Sequence, residues 1–443
     1  LAADYVSVEG FEITDDASYQ AAVEFILARS DPAADKAVRD KLDTTQWIVD
    51  AVRKSGDAAV ADFTARFDGV ELAPEQFEVT AEEIDAAVAE VDPALVAVLE
   101  RAHENIRRYH AAHVRGSWEE TFDDGTILGQ RVTPVDSAGV YVPGGKAFYP
   151  SSVLMNIVPA RVAGVDEIVM VSPPSYEGGV HPGVLAAAKI AGATRVFRIG
   201  GAQAVAALAY GTETVPAVSK ITGPGNTYVT AAKRLVRSMV DIDSEAGPSE
   251  VLVIADEHAV PAYVAAELMA QAEHDEEACC VLATPSLELA RAVEQRVQRE
   301  TQRSPRKAIV EKALDEHSAI LVVRDLDEAV DLCDLFAPEH LSIQTVFPRK
   351  VADQVRHAGA MMLGAMTPVA VGDYYAGPNH ILPTGRRARF ASPLTTEDFL
   401  KVSSVIFYSE ERLKQDAADI VTLAEVEGDR KSTRLNSSHR YVS

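Results

Sequence analysis

Three cysteines in 443 residues are too few for a disulfide framework, and Cys279 and Cys280 stand side by side in the apolar run ACCVLAT. That run reads as a buried strand, so the expected role of these thiols is packing rather than nucleophilic attack. No apolar stretch approaches the ~18 residues that span a bilayer, which excludes a membrane-spanning helix. The opening LAADYVSVEG has neither a basic nor an apolar leader region, which argues against a secretory signal. It also lacks an initiator Met, so the native start is expected elsewhere. Basic residues are outnumbered, 42 Lys and Arg against 67 Asp and Glu, for a net charge of −25. So acidic a chain repels phosphate backbones and anionic membrane surfaces, and no nucleic-acid or membrane partner is expected. A small polar or cationic substrate in the cytoplasm suits it better. The fingerprints G-x-G-x-x-G and G-x-x-x-x-G-K-[ST] are both missing, which removes the commonest nucleotide sites.

Periodicity is present throughout. An amphipathic helical stretch covers 17–28, and helical spacing returns over 45–67 and 81–112. In the last of these Leu95, Val98, Leu99, Ala102 and Ile106 share a face, and His110 and His113 are expected on a solvated one. From about Gly139, short apolar runs at 166–171, 195–199 and 220–222 alternate with helical stretches at 151–163, 182–191, 202–210 and 227–239. A second series has strands at 251–255, 278–283, 318–323, 341–343 and 360–363, with helices at 261–275, 287–299 and 326–336. This alternation is that of parallel sheets covered on both faces. It predicts two α/β units with joins near 140 and 250, and a small helical end piece from about 395.

Three glycine clusters fall at predicted strand-to-helix junctions: YVPGG at 141–145, GGAQ at 200–203 and GPGN at 223–226. Glycine there lets backbone approach a ligand, helix N–H groups favour phosphates, and Asn226 is a good N-cap. Singly each reads as a plain turn; three in one unit favour a dinucleotide or another anionic ligand. Gln271 and His274 lie at i and i+3 near a helix end, as two ligands of one metal must, although taken alone the spacing reads better as a polar final turn. Glu339 and His340 in APEHL form a titratable pair in a predicted surface loop. Asp373 and His380 lie in the turn-rich GDYYAGPNH, also a predicted solvated loop.

The segments YVPGGKAFYPSSVLM, GGAQAVAALAYGTE, KITGPGNTYV, AGPSEVLVIAD, QAEHD, APEHL and GDYYAGPNHILPT occur in that order. Together they resemble the signature stretches of histidinol dehydrogenases, over roughly residues 20–428. The resemblance implies two incomplete Rossmann-like parallel-sheet domains with small helical N- and C-terminal segments. Residues 31–140 and 250–394 would form one domain and 141–249 the other, with an N-terminal arm over 1–30 and a dimer-exchange segment over 395–428. It implies zinc on Gln271, His274 and Asp373, catalysis by Glu339 and His340, and NAD contacts from Tyr141, Gln203 and Asn226. Substrate contacts would come from Ser249, Gln271, His274, His340, Asp373, His380 and Glu427, the last acting across a homodimer.

The implied reaction takes L-histidinol to L-histidine through a bound aldehyde, with two hydride transfers to NAD. The family also carries a zinc-binding histidine five residues beyond the C-terminal glutamate, where this chain has Ser432. The basic stretch 429–443, DRKSTRLNSSHRYVS, breaks with the acidic helix before it and is expected to be non-native. His439 comes seven residues late for the missing ligand. A zinc-dependent hydrolase and a catalytically silent member of the family remain alternatives at this point.

Overall fold

Runs such as VLVIA and CCVLA are apolar at every position, as a strand covered on both faces requires. In the computed structural model, which describes residues 9–28, 36–144, 147–244 and 247–429, both form fully buried strands. The contacts divide the chain into two units: residues up to His113 with Val135–Phe399, and Val114–Pro134 with the segment from Leu400.

The first unit holds two parallel sheets. One has six strands in the order Glu9–Glu12, Ala319–Val322, Cys279–Thr284, Glu250–Ala255, His340–Gln344, Ala360–Leu363. The other has five: Arg195–Phe197, Glu167–Val171, Ser137–Tyr141, Lys220–Thr222, Asp241–Ile242. In the five-stranded sheet the chain steps outward from Ser137–Tyr141, then restarts on that strand's other side with Lys220–Thr222. Such a reversal opens a crevice at the carboxyl ends of the two strands. Both sheets are thus incomplete Rossmann-like units, and apolar clusters from the covering helices fill their faces.

Local chemistry sets the helix limits. The periodic run 81–112 is two helices, Ala81–Glu90 and Pro93–Ala111, because Pro93 cannot continue a helix and Asp92 caps the second through the Ala94 N–H. His110, expected on a solvated face, is instead buried and its pKa is lowered to about 4 by loss of water. It extends the buried stripe of Leu99, Ala102 and Ile106 by one turn, whereas His113 is exposed. Cys279 and Cys280 are buried in their strand, as expected.

The second unit departs from the helical piece expected after about 395. Strand Leu400–Phe407 pairs antiparallel with Ile127–Pro134, which pairs with Trp118–Thr121, and the helix Glu410–Val426 follows. These strands are largely solvent-facing and their apolar residues are broken up by polar ones, so no long apolar run marked them. The tail from 430 lies outside the described residues. Among the described residues no helix is long and apolar enough to cross a membrane.

Candidate active site

In a parallel sheet, the helix after a strand returns to the level of the strands' amino ends. Glu250 and His340 open neighbouring strands of the six-stranded sheet, and helix Pro261–Ala272 ends with Gln271 at that same edge. Glu339 and His340, expected in a surface loop, are buried. The left-handed Ala337 (φ 47) ends the preceding helix, and His340 is drawn at once into register with Val251 and Ala360.

His340 Nδ1 lies 3.1 Å from the Glu250 carbonyl oxygen, which only accepts, so Nδ1 carries the hydrogen. Its Nε2 faces Asp373 Oδ1 at 3.2 Å. Glu339 Oε2 approaches Nδ1 at 3.5 Å and accepts the Glu250 N–H at 2.9 Å. Burial draws the His340 pKa down, but the carboxylates of Glu339 and Asp373 outweigh it and hold the value well above the ordinary one.

Asp373 stands on a short helix, Val369–Tyr374, and not in the loop its neighbours suggested. Its carbonyl accepts from His380 Nδ1 at 2.8 Å, which leaves His380 Nε2 to accept from the Ser152 hydroxyl at 3.2 Å. Burial lowers the His380 pKa against the opposing pull of Asp373. The neighbouring Asn379 donates to the Met155 carbonyl at 2.6 Å. Ser152 and Met155 belong to helix Pro150–Ala163, which follows the Tyr141 strand. The proton-handling edge of one sheet therefore adjoins the carboxyl edge of the other.

The remaining residues are less tightly gathered. Ser249 is half-buried just before its strand and accepts the Cys279 N–H through its carbonyl at 3.0 Å. Gln271 is buried, while His274 follows in an exposed turn, its N–H on the Gln271 carbonyl at 3.0 Å. Among the described residues, no group of three or more His, Cys, Asp or Glu side chains is placed to hold a metal ion. Glu427 is exposed at the end of the helix Glu410–Val426, in the second unit.

Sequence reasoning missed Glu267. It is buried one turn before Gln271, and its Oε2 accepts the N–H of Val369, first residue of the Asp373 helix, at 3.1 Å. Burial raises its pKa and the charge of Asp373 adds to the effect. Its i−4 spacing from Gln271 was the available signal.

At the crevice of the five-stranded sheet, the Tyr141 hydroxyl oxygen accepts the Gly201 N–H at 3.1 Å, and burial pushes the phenol up to about 12. Gln203 is 1% exposed, and its Nε2 has no partner among the described residues. Gly223 has φ 113, and a Cβ there would stand 2.0 Å from the Tyr141 carbonyl oxygen, so only glycine fits. The buried pair Lys233–Asp243 holds this turn from both sides. Asp243 accepts the Gly223 N–H at 2.7 Å, and Lys233 donates to the Gly223 carbonyl at 3.0 Å. Asn226 caps helix Thr227–Val236 through the N–H groups of Tyr228 and Val229, which leaves its amide nitrogen for a ligand. Free helix N–H groups at such a crevice suit a pyrophosphate.

Known proteins resemble this chain in sequence and fold. The family model described as histidinol dehydrogenase matches residues 32–434. Histidinol dehydrogenase of Heliobacterium mobile is 53% identical over 381 residues, covering 86% of this chain and 89% of the relative. That of Thermosynechococcus vestitus is 51% identical over 395 residues, covering 88% and 92%. The crystal structure of histidinol dehydrogenase from Elizabethkingia anophelis superposes with a TM-score of 0.90 at 30% identity, covering 98% of both chains. Such a relationship is consistent with use of NAD. With a match over most of its length and identities near half, the chain belongs to the histidinol dehydrogenase family, enzymes of histidine biosynthesis.

Proposed function

We propose that this chain oxidises L-histidinol to L-histidine by two successive hydride transfers to NAD, with L-histidinaldehyde kept bound between them. One observation carries the reading: buried His340 has its Nδ1–H tied to the Glu250 carbonyl, so Nε2, facing Asp373, is the nitrogen that exchanges a proton. In the first step Nε2 takes the hydroxyl proton as hydride leaves for NAD. In the second, Glu339 helps activate the water that adds to the aldehyde, and His340 again accepts the proton as the second hydride leaves. His380, with Nδ1–H fixed on Asp373, contacts the substrate, as do Ser249 and Glu427. Tyr141, Gln203 and Asn226 contact NAD at the crevice. Holding the aldehyde between steps keeps a reactive intermediate from solvent.

The donor chemistry of Gln271, His274 and Asp373 (an amide oxygen, an imidazole and a carboxylate) suits zinc, and these residues would hold it. Gln271 and His274 are one turn apart, and Asp373 stands on a helix tied to theirs through Glu267 and Val369. Bound there, zinc would supply positive charge to orient the imidazole and amine of histidinol, and Asp373, as one of its holders, would act less strongly on His340. Ser432 leaves the family's fourth position without its histidine.

We further propose a homodimer in which Glu427 reaches the partner's site. The helix Glu410–Val426 has no buried residue, and Leu423, Val426, Ile406 and Phe407 are exposed, as an uncovered contact face would be. Residues 250–394 are assigned to catalysis and 141–249 to NAD, with 48–77 packed in the core of the latter, in a cytoplasmic enzyme. Dialysis against a chelator is expected to abolish histidinol-dependent NADH formation, and added zinc to restore it. NADH formation that survives verified metal removal would contradict the zinc assignment.

A further inference from the structure

Asp57 is tied to the segment after helix Gly201–Tyr210. Its N–H donates to Glu213 at 2.9 Å, and its Oδ1 accepts from the Thr214 hydroxyl at 3.0 Å. From there the helical run to Phe67 packs along Gly201–Tyr210 in the opposite direction, its Val60 and Phe63 in one core with Ala202–Ala209 and Tyr141. At about 1.5 Å per residue, eleven residues carry the chain some 16 Å, roughly the length of that neighbouring helix. Asp68, just past Phe67, therefore arrives at the amino end of Gly201–Tyr210, beside Gly201 and Gln203. Its carboxylate is close enough to act on the Tyr141 phenol.

Two polar atoms are left over at this place. Asp68 Oδ2 and Gln203 Nε2 are both buried with no hydrogen-bond partner among the described residues. Stranding a buried acceptor is unfavourable, and burial has pushed the Asp68 carboxyl up to about 6. One lone acceptor and one lone donor, both next to a helix start suited to a phosphate, complement a hydroxyl group. A hydroxyl donates to the carboxylate and accepts from the amide, and a vicinal diol does so with both oxygens. Nothing in the proposed reaction uses Asp68.

We propose that Asp68, with Gln203, binds a ribose diol of the dinucleotide and that its carboxylate selects NAD over the 2′-phosphorylated form. The proposal rests on the crevice being the dinucleotide site. A 2′-phosphate there would meet a carboxylate without a compensating cation among the described residues, while a free 2′-hydroxyl would satisfy it.

Fluorescence titration with NADH and NADPH tests this on the full chain without requiring turnover. The parent is expected to bind NADH with preference over NADPH. Asp68→Ala should weaken NADH at least tenfold and narrow the preference at least tenfold. Asp68→Asn, which keeps the shape and one acceptor but loses the charge, should retain more NADH affinity and narrow the preference as much. If Asp68→Ala fails to fold, Asp68→Asn decides alone through the NADH-to-NADPH ratio. A parent that binds NADH and folded variants with unchanged affinity and preference would overturn the role of Asp68 alone. A parent that binds neither nucleotide would overturn the dinucleotide crevice, and this proposal with it.

Discussion

Replacing His340 with Ala is expected to lower the rate of both oxidation steps by about 10²–10⁴-fold, the range typical of losing a positioned general base. NADH affinity should not change, because the imidazole lies at the amino edge of the six-stranded sheet and the nucleotide crevice belongs to the other. The neighbouring carboxylate separates the steps. Glu339→Gln keeps an oxygen for the Glu250 N–H, now accepted at 2.9 Å, but cannot assist the water. It should slow aldehyde oxidation more than alcohol oxidation, so that L-histidinaldehyde accumulates. Single-turnover traces with each substrate read both effects. A His340→Ala enzyme within a few-fold of its parent would remove the base from the mechanism.

Removing Glu267 should act at a distance, through the metal site. Its carboxylate joins the last turns of helix Pro261–Ala272 to the first N–H of the Asp373 helix, so it sets the separation between Gln271 and Asp373. Glu267→Ala is expected to weaken zinc binding by about 10–100-fold, the usual effect of losing a partner that orients metal ligands. Glu267→Gln still offers an oxygen to Val369 and should bind zinc nearly as the parent does. Competition titration with a chromophoric chelator measures this directly, and NADH affinity serves as the control for folding. Equal zinc affinity in the parent and Glu267→Ala would show that the bridge does not position the ligands. Equal losses in both variants would show that its charge, not its hydrogen bond, matters.

Glu267 also shows where sequence reading stops. The strands were legible from their place between helical stretches and, in Glu250–Ala255, from an almost wholly apolar run: 220–222 and 360–363 were predicted to the residue, and Glu250–Ala255 to within one. The glycine clusters marked the crevice, since the fit of Gly223 against Tyr141 is a backbone requirement that the residue type reveals. Glu267 looked like any helical glutamate, and only a partner 102 residues away makes it part of the site. Asp68 was hidden for the same reason, its surroundings being set by how two helices pack. Glu339 and His340 looked exposed because Pro338 marks a turn, whereas burial came from strand pairing on both sides. The antiparallel sheet was missed because Trp118–Thr121 and Leu400–Phe407 are largely solvent-facing and their apolar residues are interrupted by polar ones. Nor does the general preference for carboxyl-end sites in parallel sheets hold throughout. It locates the crevice beside Tyr141, while His340 opens its strand at the amino end, a choice that only the three-dimensional structure reveals.

The central claim is that one site carries alcohol through aldehyde to acid without release. Its most direct test is the number of NADH formed per L-histidinol consumed to completion, in the chain as it stands and after Ser432→His within a Leu-x-x-His tail. Two NADH per histidinol is the expected result, with the histidine-bearing tail at least as fast as the original. One NADH with free aldehyde, or no NADH from either form, would contradict the account.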